Sequence, residues 1–269
     1  MINIQHLETD VTTVCQLSCV ACNHFVPLYR AKGPKHTSPV TIERDLNALS
    51  KFLHANAWGA LGGEPLLNKE LNTILRIARE SGIASSIEVW TNGLRLRPEE
   101  EHQWDAKGFW TNDAWDTLVL SVYPGYHTAE TIARIQYKCG VWEKRLVITP
   151  DPTINFRTLL EPTPDTDPKR TWAKYEGCFF RRFSRVVNNG YFFTCCCAPH
   201  HGPLILDRPF GEDGIALDGL TEDALKSYLL RKEPLAACAT CAGRDTAQPV
   251  TWRERRKPAE WLAASGGVE

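Results

Sequence analysis

Short β-rich apolar runs alternate with stretches of helical periodicity through the first 190 residues or so. Residues 2–14 read as a strand that leads straight into the first cysteines. Ser38-Pro39 predicts an N-cap followed by proline at the first helical position, and the helix behind it carries Leu46, Leu49 and Leu53 on one face. Residues 57–61 form a short apolar run that ends in Gly62-Gly63. Leu71, Ile74, Leu75 and Ala78 then recur at helical spacing, with Gly82 closing that helix. Strands follow at 87–90 (ending in Thr91-Asn92-Gly93), at 118–122 and at 146–148, with a helix at about 128–138 between the last two.

Repeated βα units imply a parallel sheet with helices outside it, either a barrel or an open sheet. Cys15, Gly62-Gly63-Glu64, Asn92 and Ser121 all fall at or just after strand ends, where α/β sheets and barrels carry their active sites. Residues 1–150 therefore read as the core. Residues 150–177, rich in Pro, Thr and Asp, read as a connection or last barrel elements leaving it. Beyond them, 185–187, Asn188-Asn189-Gly190 and 191–193 predict a β-hairpin, with glycine supplying a positive φ at the turn. A helix at 221–232 capped by Thr221 precedes Cys238-Ala-Thr-Cys241. Residues 246–269 read as a helical tail, whose Arg253, Arg255, Arg256 and Lys257 form a solvated face.

The charge balance narrows the function classes. Lys+Arg total 31 against Asp+Glu 32, so no positive excess exists to hold a nucleic acid. No apolar run of about 18 residues marks a membrane span, and the start, Met-Ile-Asn-Ile-Gln-His, lacks the pattern of a signal peptide. The expectation is a cytoplasmic chain. Its ten cysteines then point to metal or redox chemistry rather than disulfides. All but Cys139, expected to pack behind a barrel helix, fall in three clusters.

Cys15-Gln-Leu-Ser-Cys19-Val-Ala-Cys22 brings three thiolates together with no fourth cysteine nearby. Such a loop suits a [4Fe-4S] cluster with one iron open to another ligand, or a zinc ion completed by His24 or a distant residue. The CxxxCxxC spacing after a first strand resembles the radical S-adenosylmethionine (SAM) superfamily, and Gly62-Gly63-Glu64-Pro65 after the second strand resembles its second motif. The resemblance implies a partial (β/α)6 barrel. It also implies a [4Fe-4S] cluster on Cys15, Cys19 and Cys22, with SAM on the open iron. Gly62, Gly63 and Glu64 would meet the methionine amino group, and Asn92 and Ser121 the ribose or carboxylate. Ala21, before the third cysteine, stands where the family usually has a bulky residue, so a side-chain contact with adenine there is weak.

Cys178, Gly190, Cys195 and the Cys238/Cys241 pair resemble the twitch domain, a shortened SPASM auxiliary-cluster domain built from a β-hairpin and a helix. The resemblance implies that these four cysteines (178–245 forming the domain) ligate a second [4Fe-4S] cluster. The same halves also suit a four-cysteine zinc site. Cys196 and Cys197 are left over beside a ligand. Either can replace Cys195 as ligand or donate a hydrogen atom to a substrate radical; strand alternation turns Cys197 to the side of Cys195 and Cys196 away. Asn23, His24, Tyr123, Tyr126, His127 and the pair His200-His201 follow cluster or strand ends, where either substrate or an ordinary loop rim would lie.

The size and cysteine layout resemble the small aminocyclitol dehydrogenases of this superfamily. That implies hydrogen abstraction from a carbohydrate-like or aminocyclitol secondary alcohol, giving oxidation or epimerisation. The partners implied are a small polar metabolite and an electron donor such as flavodoxin or ferredoxin. The alternative is modification of a ribosomal peptide by crosslinking or epimerisation; the chain's start at the first barrel strand weighs against a built-in peptide-recognition domain. A non-enzymatic iron–sulfur or zinc scaffold would require the Gly-Gly-Glu-Pro segment to be coincidental.

Overall fold

A computed structural model describes residues 1–100, 102–149, 159–161, 163–243, 252 and 254. Its strands are β1 (Ile2–Thr12), β2 (Leu53–Gly62), β3 (Ala84–Thr91), β4 (Thr117–Ser121), β5 (Arg145–Thr149), β6 (Ser184–Asn188), β7 (Tyr191–Phe193) and β8 (Ile215–Ala216). They form one sheet in the order β5-β4-β3-β2-β1-β6-β7-β8. The first six run parallel, and β7 and β8 continue antiparallel from β6. The six parallel strands make an open, partial (β/α) barrel. The hairpin β6–β7 extends that same sheet, so no break in it marks a boundary near residue 178.

Alternation along β1 explains the layering. Leu7, Thr9 and Val11 face outward and are buried, while His6, Glu8, Asp10 and Thr12 face the barrel lumen and are also buried. The parallel register carries this division around the barrel. Leu7 pairs with Trp58 and Trp58 with Ile87 on the outer face; Glu8 pairs with Gly59 and Gly59 with Glu88 on the lumen side. The outer face is covered by α2 (Pro39–Leu49) and α3 (Leu71–Glu80), which bury Ile42, Leu46 and Leu49, and Leu71, Ile74, Leu75 and Ala78 respectively. Ser38 caps α2 by accepting from the Thr41 amide, with Pro39 at the first position as the sequence predicts.

Some expected boundaries move. Helix α2 stops at Leu49, where the Ser50 amide bonds back to Leu46, so Leu53 opens β2 instead of extending the helical face. The connection after residue 150 contains a helix at Pro168–Gly177, capped by Asp167 accepting from the Lys169 amide. A helix at Ala198–Ile205, with an internal Pro203, follows the triple cysteine and has no counterpart in the sequence reading. The helix expected at 221–232 is Glu222–Leu229, with Thr221 accepting from the Ala224 amide. Cys139 packs in the main core behind the helix Ala129–Val141, as expected. Among the described residues no helix is long and apolar enough to cross a membrane.

Barrel and hairpin are also joined through one buried carboxylate. Asp45 of α2 is 2% exposed, and its Oδ2 accepts from the Gly190 amide at the hairpin turn (2.8 Å). Replacing it by alanine leaves that N–H without its partner. Asp45→Ala is therefore expected to lower stability by about 1–3 kcal/mol, read as a reduced urea midpoint at unchanged slope.

Candidate functional site

The first cysteine loop leaves the carboxyl end of β1 beside the carboxyl end of β2, and the two backbones nearly touch. The Gly63 amide donates to Thr12 O (2.7 Å) and the Glu64 amide to Val14 O (2.8 Å). A Cβ on Gly62, whose φ is +114°, would lie 2.1 Å from Thr12 O, and one on Gly63 would lie 2.1 Å from Val14 O. Only glycine permits this approach. A register shift between Asp10 and Thr12 accompanies it. Downstream, Arg30 of the short helix Val26–Lys32 donates to the carbonyls of Cys15 (3.0 Å) and Leu17 (3.1 Å), fixing the loop from its far side.

Asn92 ties the loop to the end of β3. Its Oδ1 accepts from Gln16 Nε2 (3.2 Å) and from the Leu94 amide (3.1 Å), and its Nδ2 donates to Cys15 Sγ (3.7 Å). His127 holds the Asn92 backbone. Its Nδ1 accepts from the Tyr123 amide (3.1 Å), which leaves the proton on Nε2, donated to Asn92 O (2.8 Å). Burial lowers its pKa and keeps the ring neutral.

The Glu64 carboxylate does not meet the cavity. It is fully buried and accepts from the Leu66 amide (3.0 Å), the Thr91 hydroxyl (2.6 Å) and the Asn92 amide (2.8 Å). These donors bind β2 to β3, and burial pushes its pKa up to about 7. The position expected to receive a ligand's ammonium is thus a tie between strand ends. Gly62 and Gly63 are the part of the motif that faces the cavity.

That cavity, of about 920 Å³, opens over the strand ends and into the lumen. Its wall includes Cys15, Cys19, Ala21, Cys22, Asn23, His24, Gly62, Gly63, Asn92, Ser121 and Tyr123. The sequence reading proposed all of these. It did not find Glu8, Trp90, Thr149, Phe179, Phe180, Phe183 and Ser184, which also line it. For Glu8 the available signal was the row His6, Glu8, Asp10, Thr12 at every second position of β1, with apolar Leu7 and Val11 between them.

Charges are paired on the lumen floor. His6 Nδ1 lies 3.3 Å from Glu8 Oε1, and His6 Nε2 lies 3.3 Å from Glu88 Oε2, which also accepts from Trp90 Nε1 (2.8 Å). Burial alone would lower the His6 pKa, but the hydrogen bonds and charges of Glu8 and Glu88 outweigh it and raise the pKa to about 9. The Ser184 hydroxyl donates to Glu8 Oε1. Nearer the cysteines, Asp10 lies between His24 (3.0 Å) and His200 (3.2 Å), and His200 Nδ1 pairs with the Tyr29 hydroxyl (3.0 Å). Burial opposes the Asp10 charge, but the two imidazoles hold its pKa well below the usual carboxylate range. His200 and His201 are buried behind the wall, while Tyr126 and His127 serve loop contacts; none of the four lines the cavity.

Cys178, Cys195, Cys238 and Cys241 line one small second cavity together with Cys197, Lys174 and Arg181. The chain leaves β7 at Phe193 and turns through Thr194–Cys197, so strand alternation does not apply there. Cys196 faces the large cavity and Cys197 the small one. Although the segment is a turn, the sides agree with the sequence reading: Cys197 lies with Cys195, and Cys196 faces away from it. The sulfurs of Cys195, Cys196 and Cys197 lie within 4.8 Å of one another, so Cys196 stands in the partition between the compartments.

The spacing of Cys15, Cys19 and Cys22 suits a centre wider than a single zinc ion. Tetrahedral zinc at about 2.3 Å draws its sulfurs to within about 3.8 Å of each other. Cys15, Cys19 and Cys22 are not among the groups whose ligand atoms all lie within 4.8 Å. Burial raises each of their thiols, that of Cys19 to about 12, so three thiolates here require a cationic centre.

No family model and no curated protein matches the sequence. Solved structures do. BtrN in complex with AdoMet and 2-DOIA matches with a TM-score of 0.54 at 14% identity, over 92% of this chain and 97% of that one. BtrN in an open conformation matches at 0.46 and 14%, over 85% and 80%. SuiB of Streptococcus suis bound to S-adenosylmethionine matches at 0.39 and 12%, over 71% and 58%. The likeness rests on the first of these and shows the fold. The partial barrel implied by the radical SAM resemblance is the architecture of this chain.

Two outcomes follow. Gly63→Ala forces the Val14 backbone away and displaces Cys15. It is expected to cost about 1–3 kcal/mol and to reduce iron retained after anaerobic reconstitution, measured by metal analysis. His6 has a folded pKa above its unfolded value of 6.5. Its stabilisation is therefore complete below pH 6.5 and is lost as pH rises to about 9. His6→Gln should flatten the decline in urea midpoint across that window.

Proposed function

We propose that this chain is a radical SAM enzyme that abstracts a hydrogen atom from a hydroxyl-bearing carbon of a small polar, carbohydrate-derived metabolite, leading to oxidation or epimerisation. The observation that carries this reading is one cavity whose wall joins Cys15, Cys19, Cys22, Gly62-Gly63, Asn92 and Ser121 to Cys196. Cys15, Cys19 and Cys22 would hold a [4Fe-4S] cluster with SAM at its open iron, and that pair would supply reductive cleavage of SAM as the source of the hydrogen-abstracting radical. Cys178, Cys195, Cys238 and Cys241 would hold a second cluster serving as electron acceptor, with Lys174 and Arg181 beside it to offset negative charge.

The chain's own residues have separable tasks in this reading. Gly62 and Gly63 offer backbone to the methionine end of SAM, and Asn92 and Ser121 line its path. Phe179, Phe180 and Phe183 form an apolar side that keeps water from a reactive carbon. Glu8, Asn23, His24 and Thr149 present polar groups to a polyhydroxylated substrate. Glu8 adds a carboxylate that suits an ammonium, which favours an aminocyclitol within the carbohydrate class; 2-DOIA is the compound bound by the structurally similar BtrN. Cys196 is the thiol on the substrate side of the partition; return of its hydrogen atom to the substrate carbon would give epimerisation and leave a Cys196 thiyl radical, restored to the thiol by one proton and one further electron from the external carrier. Loss of the hydroxyl proton and one electron instead gives a ketone. A small external electron carrier such as flavodoxin or ferredoxin supplies the reducing electron.

Anaerobic reconstitution should give about eight irons per chain, about half of them lost in a Cys15→Ala, Cys19→Ala, Cys22→Ala triple variant. With reductant and SAM the loaded protein should release 5′-deoxyadenosine, more so with an aminocyclitol. Zinc alone in both sites, or no SAM cleavage with any polyol or amino sugar, overturns the reading; cleavage driven only by a peptide moves it to peptide modification. In heavy water, deuterium at the reacting carbon that disappears in Cys196→Ala identifies epimerisation, whereas ketone formation unaffected by that change identifies dehydrogenation.

A further inference from the structure

Three separate segments each send one metal-ligating side chain into the same small space. Asp10 comes from β1, His24 from the turn before the helix Val26–Lys32, and His200 from the helix Ala198–Ile205. One ligand atom from each lies within 4.8 Å of the other two. The closest approaches are 3.0 Å between Asp10 Oδ1 and His24 Nδ1, and 3.2 Å between Asp10 Oδ2 and His200 Nε2. A tetrahedral zinc ion about 2.0–2.1 Å from nitrogen and oxygen sets its ligand atoms about 3.4 Å apart. The spacing already present is close to that.

Two observations separate this group from an ordinary ion pair. The contact of Asp10 with His24 is an aligned hydrogen bond, but the contact with His200 is not. His200 is 1% exposed, and its Nε2 has no hydrogen-bond partner among the described residues although a carboxylate oxygen lies 3.2 Å away. A shared proton lies near the line from nitrogen to oxygen, whereas a cation bound by both lies off that line. The misaligned nitrogen fits the cation. The second observation is Asn188. Its Nδ2 donates to Asp10 Oδ2 (3.1 Å), while its Oδ1 is buried and has no partner among the described residues. A water serving as fourth ligand of an ion beside Asp10 is a donor of the kind that oxygen lacks. The other nitrogen of His200 pairs with the Tyr29 hydroxyl (3.0 Å), as the second nitrogen of a ligating imidazole does.

We propose that Asp10, His24 and His200 form a metal site of their own, for a divalent ion of the zinc class held by two imidazoles and one carboxylate. Imidazole together with carboxylate suits such an ion. Bound there, it joins the first cysteine loop, through His24, to the segment after Cys197, through His200, with β1 between them. The proposal goes beyond the reading of the cysteines and is independent of it, since none takes part.

The test uses the full chain reconstituted anaerobically with iron and sulfide, desalted, given zinc alone and desalted again. Iron and zinc are measured together, X-ray absorption at the zinc edge reports the atoms around the metal, and competition with a chelator gives the affinity. The expected result is about one zinc per chain at unchanged iron, with nitrogen and oxygen neighbours at about 2.0–2.1 Å and no sulfur. Asp10→Asn, which keeps the side chain's shape, should weaken zinc binding at least about 100-fold, and Tyr29→Phe about 10–100-fold, both with iron unchanged. Zinc should also raise the urea midpoint of the wild-type protein but not that of Asp10→Asn. No retained zinc, zinc surrounded by sulfur at about 2.3 Å, or wild-type affinity in Asp10→Asn overturns the proposal. If Asp10→Asn does not fold, the wild-type edge spectrum decides: imidazole neighbours support the site, and sulfur neighbours overturn it. Iron content speaks to the cluster reading alone, so the two fail separately.

Discussion

The candidate site depends on two backbones running closer than side chains allow. Where β1 ends, Thr12 and Val14 accept from the amides of Gly63 and Glu64, and neither glycine has room for a Cβ. This contact sets the point at which the chain leaves the sheet, and so where Cys15 begins its loop. The Glu64 carboxylate then ties that junction to Thr91 and Asn92, and Asn92 reaches back to Cys15. Three strand ends are thereby fixed relative to one sulfur by hydrogen bonds alone. Most of these members are buried and each has its partners, so the start of the cysteine loop is held in one place.

Below that rim the lumen is polar, unlike the filled interior of a complete barrel. Its charges are arranged as alternating acid and imidazole: Glu88, His6 and Glu8 on the floor, then His24, Asp10 and His200 nearer the cysteines. Buried charges persist only when paired, and here every carboxylate of the two rows has an imidazole neighbour. Gly59 on β2 leaves room beside the His6 ring, and of these groups Glu8 and His24 border the cavity while the others lie behind them. The aromatic residues after Cys178 close one side and give the chamber its apolar face.

Much of this was legible in the sequence because local rules set it. Helix caps at Ser38 and Thr221, the Asn189-Gly190 turn, and the strands ending at Gly62 and Thr91 follow from short-range chemistry. The cysteine spacings and the Gly-Gly pair identified the wall of the chamber, since those residues sit at strand ends by construction. Glu64 was misplaced because which way a carboxylate turns depends on donors from another strand, and periodicity does not see them. Cys196 and Cys197 fall on the sides that alternation predicts, but which of those sides borders the large cavity depends on packing against distant strands and is not readable locally. Glu8 was overlooked because alternation with His6 and Asp10 does not by itself say that the polar face of the strand lines a lumen; that depends on the strands packed around it. The solvated tail expected at 246–269 does not hold at Trp252, which packs on Leu17 and Leu94, or at Glu254, which bridges to Cys19 and accepts from the Ser18 amide (3.1 Å); contacts between such distant segments have no local signature. Arg253, Arg255, Arg256 and Lys257 lie outside the described residues.

Strand β1 pairs with β2 on one side and with β6 on the other, so residue 6 meets residue 184 across the sheet. That pairing has a consequence for synthesis. One edge of the first strand stays open until more than two thirds of the chain has been made, since its partner emerges so late. The loop bearing Cys15 and the glycines that brace it can be in place long before then, on a half-built sheet. The chamber itself cannot exist until the later strands dock and bring Cys196 to its wall. Maturation of this protein is therefore ordered by its topology: a first site that assembles early and a second that arrives as the last edge is covered, with an exposed strand in between that invites wrong partners.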